Sequence, residues 1–313
     1  MTILEAIKIE GYYTCSQHTS VYLADISGVD SIAALVSFLG ENHDSIVVPS
    51  FVELACEYGD KLYEFNKVLS SLYAKFNAID NKRRILPGII LDVNTLWKEL
   101  VSTDIPSVVN QFKFYSPCIA CHFAFHLARI RFAQTIGAKG VISGERELHG
   151  TKEKINQLDF VLDFFNNVYA DARIKHFQPV RKISQTADIN SILSGFDIEP
   201  VKVKCLFSGN YRNRHSHEID ISKENIKQYL EHLTNIYSKT SSSINVTIKE
   251  LVKSKNAGHS PYSHHLCCRF NTDNSDHTSS RLCSLNQAST SRSRALASAM
   301  HCSMETSSTQ PPE

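Results

Sequence analysis

Apolar and polar residues occur along the first half of the chain in blocks that predict strands separated by helices. Short apolar runs predict strands at 20–26, 45–48, 89–93 and 140–143. Longer segments with apolar residues at helical spacing predict helices at 31–39, 57–76, 94–100 and 119–136, the last of them ended by Gly137. Strands separated by helices require crossover connections, so the pattern predicts a parallel sheet. We expect an α/β domain with a three-layer α/β/α, Rossmann-like architecture.

The composition changes near Ser238. From there the chain is rich in Ser and Thr and has no sustained period of 2 or 3.6 residues. We predict a folded domain at 1–237 and a disordered tail at 238–313. The tail is either a lineage-specific extension or the product of a shifted reading frame, and the sequence leaves both alternatives open.

Overall composition limits the number of domains and the kinds of partner that we expect for this protein. The 313 residues are 42% hydrophobic, which is enough for one large domain with a core, and the formal net charge is +1. That charge neither supports nor excludes a tRNA partner, because a local basic groove does not show in a net sum. No apolar run reaches the roughly 20 residues that span a bilayer, and the N-terminus has no secretory signal pattern. We expect a cytosolic protein that does not bind membranes.

The first candidate site is the turn between the first predicted strand and helix, at residues 27–31. Gly28 lets the backbone approach an anion without a Cβ in the way. Ser27, Ser31 and the first N–H groups of the helix are donors for a phosphate. Asp30 is either a ligand for Mg²⁺ beside the phosphates or a carboxylate that stabilises the helix N-terminus. The turn therefore predicts ATP binding.

The second candidate site is formed by cysteines, of which the chain has nine. Cys118 and Cys121 form a CxxC pair at the start of a predicted helix, where the helix dipole favours thiolate. With the distant Cys205 they give three thiolates, which can hold a 4Fe–4S cluster and leave one iron open. Cys15 and Cys56 are interpreted as buried small hydrophobes. The others lie in the predicted tail: Cys267, Cys268, Cys283 and Cys302.

Zinc is the alternative occupant of the second site. Cys118, Cys121, His122 and His126 offer two sulfur and two nitrogen ligands, but consecutive residues of a helix point in different directions and strain such a site. The two histidines instead line the pocket or pack as structural residues. His264 and His265 in the tail also match ligand types, although a flexible segment supplies no fixed geometry.

The segment after the strand at 140–143 extends the first site. Ser143 and Gly144 end that strand at the edge where parallel sheets bind ligands, and the guanidinium of Arg146 can contact two phosphate oxygens at once. The other polar residues there either meet the nucleotide or belong to a solvated loop: Glu145, Glu147, His149, Lys152, Lys154, Asn156 and Gln157. Arg212 and Arg214 near Cys205 form a small basic patch, most simply a solvated face.

Together these motifs resemble the PP-loop ATP pyrophosphatase superfamily, also called adenine nucleotide alpha hydrolase-like or HUP. The family's loop is SGGxDS, and here Asp30 and Ser31 match its end, Gly28 matches the second glycine, Ser27 replaces the first, and Ile26 replaces the leading serine. The CxxC pair followed by a strand ending in Ser-Gly and a distant third cysteine is similar to the tRNA-thiolating members. The resemblance covers about 20–213.

The resemblance implies an enzyme that adenylates a substrate carbonyl with ATP, releases pyrophosphate and inserts sulfur. It implies that Ser27, Gly28, Asp30 and Ser31 bind phosphate or Mg²⁺. It further implies that three cysteines hold an Fe–S cluster or carry the sulfur: Cys118, Cys121 and Cys205. The partners would be ATP, a sulfur donor and an acceptor, either tRNA or a small molecule. The alternatives are a PP-loop ligase that forms amides or inserts nitrogen with a zinc or redox CxxC, and a non-catalytic nucleotide-binding protein.

Overall fold

A computed structural model describes residues 20–77, 84–102, 105–196, 204–240 and 247–252. All of these belong to one compact unit, 2–276; the second unit, Met1 with 277–313, lies outside them. The expectations for Cys15 and for the histidines and cysteines of the tail also lie outside the described residues.

Eight strands and eight α-helices occur in the described residues. The strands are β1 Ser20–Asp25, β2 Ser45–Glu53, β3 Glu57–Tyr58, β4 Gly88–Asp92, β5 Gly140–Ile142, β6 Lys175–Phe177, β7 Lys204–Cys205 and β8 Thr247–Val252. The helices are α1 Val29–Glu41, α2 Lys61–Phe76, α3 Asn94–Trp97, α4 Ile105–Phe112, α5 Pro117–Ile136, α6 Asp159–Asp171, α7 Thr186–Ile192 and α8 Lys223–Thr240. A π-helical turn, Lys98–Ser102, and a 3-10 turn, Ile155–Gln157, complete the elements.

The main sheet has the strand order β6-β5-β1-β2-β4-β8. Its first five strands pair in parallel and β8 pairs antiparallel to β4. The predicted parallel α/β sheet is confirmed, and the antiparallel edge strand is an addition to it. The chain leaves β1 to one side for β2 and later returns to the other side for β5. Ligands of open α/β sheets bind at such a reversal of strand order, outside the carboxyl ends of the strands.

Both faces of the sheet are covered, because successive residues of a strand point to opposite faces. Leu23 of β1 belongs to the apolar core on the side of α5. The next residue, Ala24, belongs to the core on the side of α1 and α2. Helix α5 begins with Pro117 in its first turn and ends at Gly137, whose φ of 65° is the left-handed conformation that the sequence predicted for a helix stop. The result is the expected three-layer arrangement.

The predicted helix at 57–76 is wrong in its first turn. Glu57–Tyr58 forms strand β3, which pairs antiparallel with Lys204–Cys205 in a separate two-stranded ribbon. Gly59 has a φ of 127°, which only glycine adopts readily, so the chain cannot continue as a helix there. The helix begins at Lys61, after the Asp60 carboxylate accepts a hydrogen bond from the Tyr63 N–H at 3.0 Å. The ribbon therefore takes Cys56 away from the helix and towards Cys205.

The C-terminal part of the described chain passes the predicted boundary at 238. Helix α8 runs to Thr240, and β8 at Thr247–Val252 lies beyond it on β4. The remaining residues, 253–313, lie outside the described residues, so the division into a domain and a tail stays a prediction. Within the residues described, no helix has both the length and the apolar character needed to cross a membrane.

Candidate functional site

The turn after β1, residues 27–31, joins the carboxyl end of the strand to the N-terminus of α1, as predicted. Gly28 is the N-cap residue in extended conformation, and its N–H donates to Ser31 Oγ at 2.9 Å. The Ser31 hydroxyl in turn donates to the Gly28 carbonyl at 2.8 Å. We call residues 27–31 the phosphate turn. Its helix presents the first N–H groups of α1, which have no intrahelical partners and attract anions.

A buried ion pair holds the strand end next to the phosphate turn. Arg129, on α5, donates to the Asp25 carboxylate at 2.6 Å, and its side chain is 2% exposed. The same carboxylate accepts hydrogen bonds from the Ser27 hydroxyl and from the Ser27 N–H. The Ser27 hydroxyl, predicted to bind phosphate, is thus engaged by Asp25 in this structure. The sequence analysis did not identify Asp25 or Arg129. The available signal was an arginine in a helix with apolar residues on all sides, since a buried arginine needs an anionic partner.

Arg146 contacts the phosphate turn through Asp30, and its predicted phosphate contact stays a prediction. Its Nε lies 3.0 Å from the Asp30 carboxylate, and the side chain is 3% exposed. His149 Nδ1 lies 3.6 Å from the same carboxylate, and its Nε2 is 2.6 Å from Gln157 Oε1. Burial lowers the pKa of His149, so the ring is largely neutral at pH 7. The carboxylate of Asp30 is therefore paired with a guanidinium, and its predicted role towards Mg²⁺ stays a prediction.

Gly144 supports the phosphate turn by close packing. A Cβ at this position would lie 2.5 Å from Asp30 C and closer still to Ser31 N, nearer than real atoms approach. Ser143 is fully buried, and its hydroxyl lies 2.7 Å from His176 Nε2. Both residues lie at the edge that the sequence predicted, and Gly144 packs on the turn. A direct contact with nucleotide remains a prediction for each.

The four described cysteines line one cavity of about 190 Å³: Cys56, Cys118, Cys121 and Cys205. Pro117 starts α5 and places Cys118 and Cys121 on successive turns facing the cavity. The β3–β7 ribbon brings Cys56 and Cys205 together, and the Leu206 N–H donates to the Cys56 carbonyl at 2.9 Å. We call this space the cysteine cavity. The structure therefore unites the three predicted cysteines and adds Cys56, which the sequence analysis had interpreted as a buried hydrophobe.

The thiols of α5 are protonated rather than activated. Burial raises the pKa of Cys118. The Cys56 thiol and burial together raise the pKa of Cys121, while Trp97 Nε1–H, 2.8 Å from Cys121 Sγ, opposes the rise. Burial also raises the pKa of Cys205 to about 11. The expectation that the helix N-terminus lowers the pKa of Cys118 and Cys121 is wrong, because burial raises the first and the Cys56 thiol, with burial, raises the second. A bound cation would displace these protons.

The sulfur atoms of the cysteine cavity are not drawn together around a single metal position in this conformation. Zinc holds four thiolates at about 2.3 Å in a tetrahedron, which places the sulfurs about 3.8 Å apart. All four cysteines are among the described residues, and no three of their sulfurs lie within 4.8 Å of one another. A 4Fe–4S cluster is larger than a single ion, so its ligand sulfurs stand further apart. Four sulfur donors around one cavity are compatible with either group.

His122 and His126 follow the cysteines on α5, but only His122 lines the cysteine cavity. His126 is fully buried, with Nε2 3.0 Å from the Glu145 carboxylate. Burial lowers the pKa of His126. Burial raises the pKa of Glu145, but the two histidines outweigh it and hold that pKa well below its usual range. Because His126 lies outside the cavity, the predicted zinc set of two cysteines and two histidines does not converge.

One face of α5 connects the cysteine cavity to the phosphate turn. Cys118, Cys121, His122, Phe125, His126 and Arg129 recur every three or four residues, which places them on one side of the helix. At a rise of about 1.5 Å per residue, Cys118 and Arg129 stand about 16 Å apart along the helix. Lys154, which also lines the cavity, is partly buried, and burial lowers its pKa.

The remaining predicted residues lie around this site. Asn156 and Gln157 line the cysteine cavity with Lys154. Glu147 points instead to Arg181 and Lys182, with oxygen–nitrogen distances of 2.8 and 2.5 Å. Arg212 donates to the backbone carbonyls of Glu153 and His217, so it fixes a loop. Arg214 is exposed and Lys152 bridges to His149 through the backbone.

No model of a known protein family matches the chain. An uncharacterized protein of Methanocaldococcus jannaschii is 29% identical over 211 residues, which are 67% of this chain and 75% of that protein. Among solved structures, a 4-thiouridine synthetase in complex with RNA and bound ATP aligns with a TM-score of 0.42 at 13% identity over 73% of this chain, which spans 55% of the synthetase. The U34-tRNA thiolase NcsA of Methanococcus maripaludis, with its 4Fe–4S cluster, aligns with a TM-score of 0.37 at 13% identity, covering 76% of this chain and 73% of the thiolase.

Proposed function

We propose that this chain is an ATP-dependent sulfurtransferase that adenylates a carbonyl oxygen of its acceptor and replaces that oxygen by sulfur. The observation that carries the proposal is the cysteine cavity, lined by four thiols, on the same helix face that reaches the phosphate turn. The position of that turn at the strand-order reversal supports nucleotide binding. The acceptor is a tRNA base or a small molecule with an equivalent carbonyl.

The proposed reaction has two steps. The acceptor's carbonyl oxygen attacks the α-phosphorus of ATP, an oxygen–phosphorus bond forms, and pyrophosphate leaves with the electron pair of the broken bond. A donor at the oxidation level of sulfide then forms a carbon–sulfur bond, and AMP leaves with the former carbonyl oxygen. No electrons are gained or lost overall. Adenylation is needed because a carbonyl oxygen is a poor leaving group until it carries AMP.

The residues of the phosphate turn would handle the nucleotide. The first N–H groups of α1 would donate to phosphate oxygens, and Gly28 leaves room for them. Arg146 is held against the turn by Asp30 and would offset the charge of departing pyrophosphate. Mg²⁺ would bind with the phosphates, and Asp30 would join its ligands if Arg146 turned to the nucleotide.

The cysteine cavity would supply the sulfur. Cys118, Cys121 and Cys205 would hold the 4Fe–4S cluster, and Cys56 would remain a free thiol beside it. A cluster with three protein ligands supplies an iron that is open to sulfide. Trp97 donates towards Cys121 and would fix that ligand in place. Lys154 at the cavity wall would approach the adenylated acceptor.

The test is the iron and acid-labile sulfide content of the full chain purified without oxygen, with each cavity cysteine changed singly to Ala. We expect about four irons per chain. Cys118→Ala, Cys121→Ala and Cys205→Ala should lose them, whereas Cys56→Ala should keep them and serve as the matched control. Iron that survives Cys205→Ala, or absence of iron in the native protein, would contradict the proposal.

The same experiment decides between this proposal and a second candidate, which Cys56 favours because it completes a set of four sulfur donors. That candidate is a PP-loop ligase that forms an amide or inserts nitrogen and has a structural zinc at four cysteines. It predicts one zinc per chain, lost in all four variants. Release of AMP and pyrophosphate is common to both enzymes, and its absence with every carbonyl acceptor tested would point to a non-catalytic nucleotide-binding protein.

A further inference from the structure

Two histidines and a carboxylate converge beside the cysteine cavity. His122 and His126 stand one turn apart on α5, and Glu145 follows β5 directly after Gly144. One ring nitrogen from each histidine and one Glu145 oxygen lie within 4.8 Å of one another. His126 Nε2 is 3.0 Å and His122 Nδ1 is 3.9 Å from Glu145 Oε1. Three donor atoms thus face a common point.

Two buried polar atoms at this point have no hydrogen-bond partner. The side chains of His126 and Glu145 are 0% and 5% exposed. His126 Nε2 and Glu145 Oε2 are both without a hydrogen bond. His126 Nε2 does approach the other carboxylate oxygen, Oε1, but as an ion pair without hydrogen-bond geometry. Leaving a buried carboxylate incompletely paired is costly, and native proteins rarely do so without a ligand or ion.

We propose that His122, His126 and Glu145 bind a divalent transition-metal ion. Two imidazoles and one carboxylate form the set that binds zinc at catalytic sites and iron(II) in oxygenases. The Tyr169 hydroxyl, 3.1 Å from His126 Nδ1, orients the ring, as partners of ligating histidines do. The set differs from the cysteine donors and does not depend on them. We call it the His–Glu site.

The His–Glu site lies between the phosphate turn and the cysteine cavity of the proposed enzyme. Glu145 is flanked by Gly144, which packs on Ser31, and by Arg146, which pairs with Asp30. On its other side, His122 lines the cysteine cavity. Three protein ligands leave at least one coordination position open, and that position would take an oxygen from water or from an acceptor carbonyl.

The test is a cobalt(II) titration of the metal-free full chain, followed by visible absorption. Cobalt bound by nitrogen and oxygen shows d–d bands without the near-ultraviolet sulfur-to-cobalt charge-transfer band, so the two sites are distinguishable. We expect the native chain and Cys118→Ala each to bind one equivalent of cobalt that shows d–d bands alone, in addition to any cobalt held by thiols. Glu145→Gln should lose this equivalent and leave any charge-transfer band unchanged. Glu147→Gln, two residues away and paired with Arg181, is the matched control and should change neither.

Two further variants guard against loss of the fold. His122 is 31% exposed, so His122→Ala should fold and weaken cobalt binding at the His–Glu site at least tenfold. Tyr169→Phe should weaken it about tenfold by releasing the ring of His126. A full equivalent of sulfur-free cobalt in Glu145→Gln, or none in Cys118→Ala, would overturn the His–Glu site. Neither result touches the iron content of the cysteine variants, so the sulfurtransferase proposal stands or falls separately.

Discussion

The phosphate turn and the cysteine cavity are served by the same helix, but they are held in place differently. Around the turn, Asp25 is paired with Arg129 and Asp30 with Arg146, so the charges neutralise one another without a ligand. Around the cavity, burial raises the pKa of Cys118 and Cys205, whereas a hydrogen bond from Cys121 lowers the pKa of Cys56. The difference teaches that ion pairs of the fold already organise the phosphate turn, whereas we expect the cysteine cavity to gain order from a bound metal.

Breaking the ion pair of Asp25 and Arg129 should have the largest effect on the stability of the protein. Arg129→Met leaves a carboxylate of low exposure without its cation, so we expect a loss of about 4 kcal/mol in the free energy of unfolding. The control is Asp163→Asn, which removes an exposed partner of Arg181 and should cost less than about 1 kcal/mol. Urea denaturation of both variants gives the comparison. Equal losses would mean that the buried pair does not organise the turn.

Gly144→Ala should have the next largest effect. The new Cβ meets the backbone of Ser31 and Asp30, which cannot rotate away, so we expect a cost of about 3 kcal/mol together with weaker ATP binding. Gly40 lies in α1, where an added Cβ would have no atom within 4 Å, so Gly40→Ala should instead stabilise the protein by about 0.5 kcal/mol. Thermal unfolding and nucleotide titration measure both. Unchanged ATP affinity in Gly144→Ala would mean that the packing of Gly144 on the phosphate turn does not contribute to ATP binding.

Cys121→Ala should have the smallest effect on the metal-free protein. The side chain is buried but small, so we expect a loss of about 1 kcal/mol. In the metal-loaded protein the native chain should gain stability from its ligand, and the variant should lose that gain. Unfolding temperatures before and after anaerobic chelation measure the difference. If the native chain unfolds at the same temperature in both states, the cavity does not depend on an occupant.

The sequence was sufficient for the phosphate turn because the turn is local. The buried strand, Gly28 and the helix that follows it lie within a short stretch, and apolar periodicity together with the glycine predicts all three. The close packing of Gly144 on that turn could not be predicted from a local sequence pattern, because it joins segments that are far apart in the chain. The sequence correctly placed Gly144 at the carboxyl edge of the sheet, and the structure showed its contact with Asp30 and Ser31.

The cysteine cavity was only partly predictable for the same reason. CxxC is a local signal, whereas the meeting of Cys56 with Cys205 depends on the β3–β7 ribbon between distant parts of the chain. Gly59 and Asp60 were the local signs that the helix begins after the ribbon, and the apolar spacing of 57–76 concealed them. A two-residue strand carries too little periodicity to be recognised.

The antiparallel strand β8 takes the place of β4 as one edge of the main sheet. Its pairing with β4 occupies backbone groups that would otherwise form an open hydrogen-bonding edge. Such edges are templates for strand addition and aggregation, and proteins cover them. A shortened version of the protein that ends at α8 would expose the backbone groups of β4 that β8 occupies here.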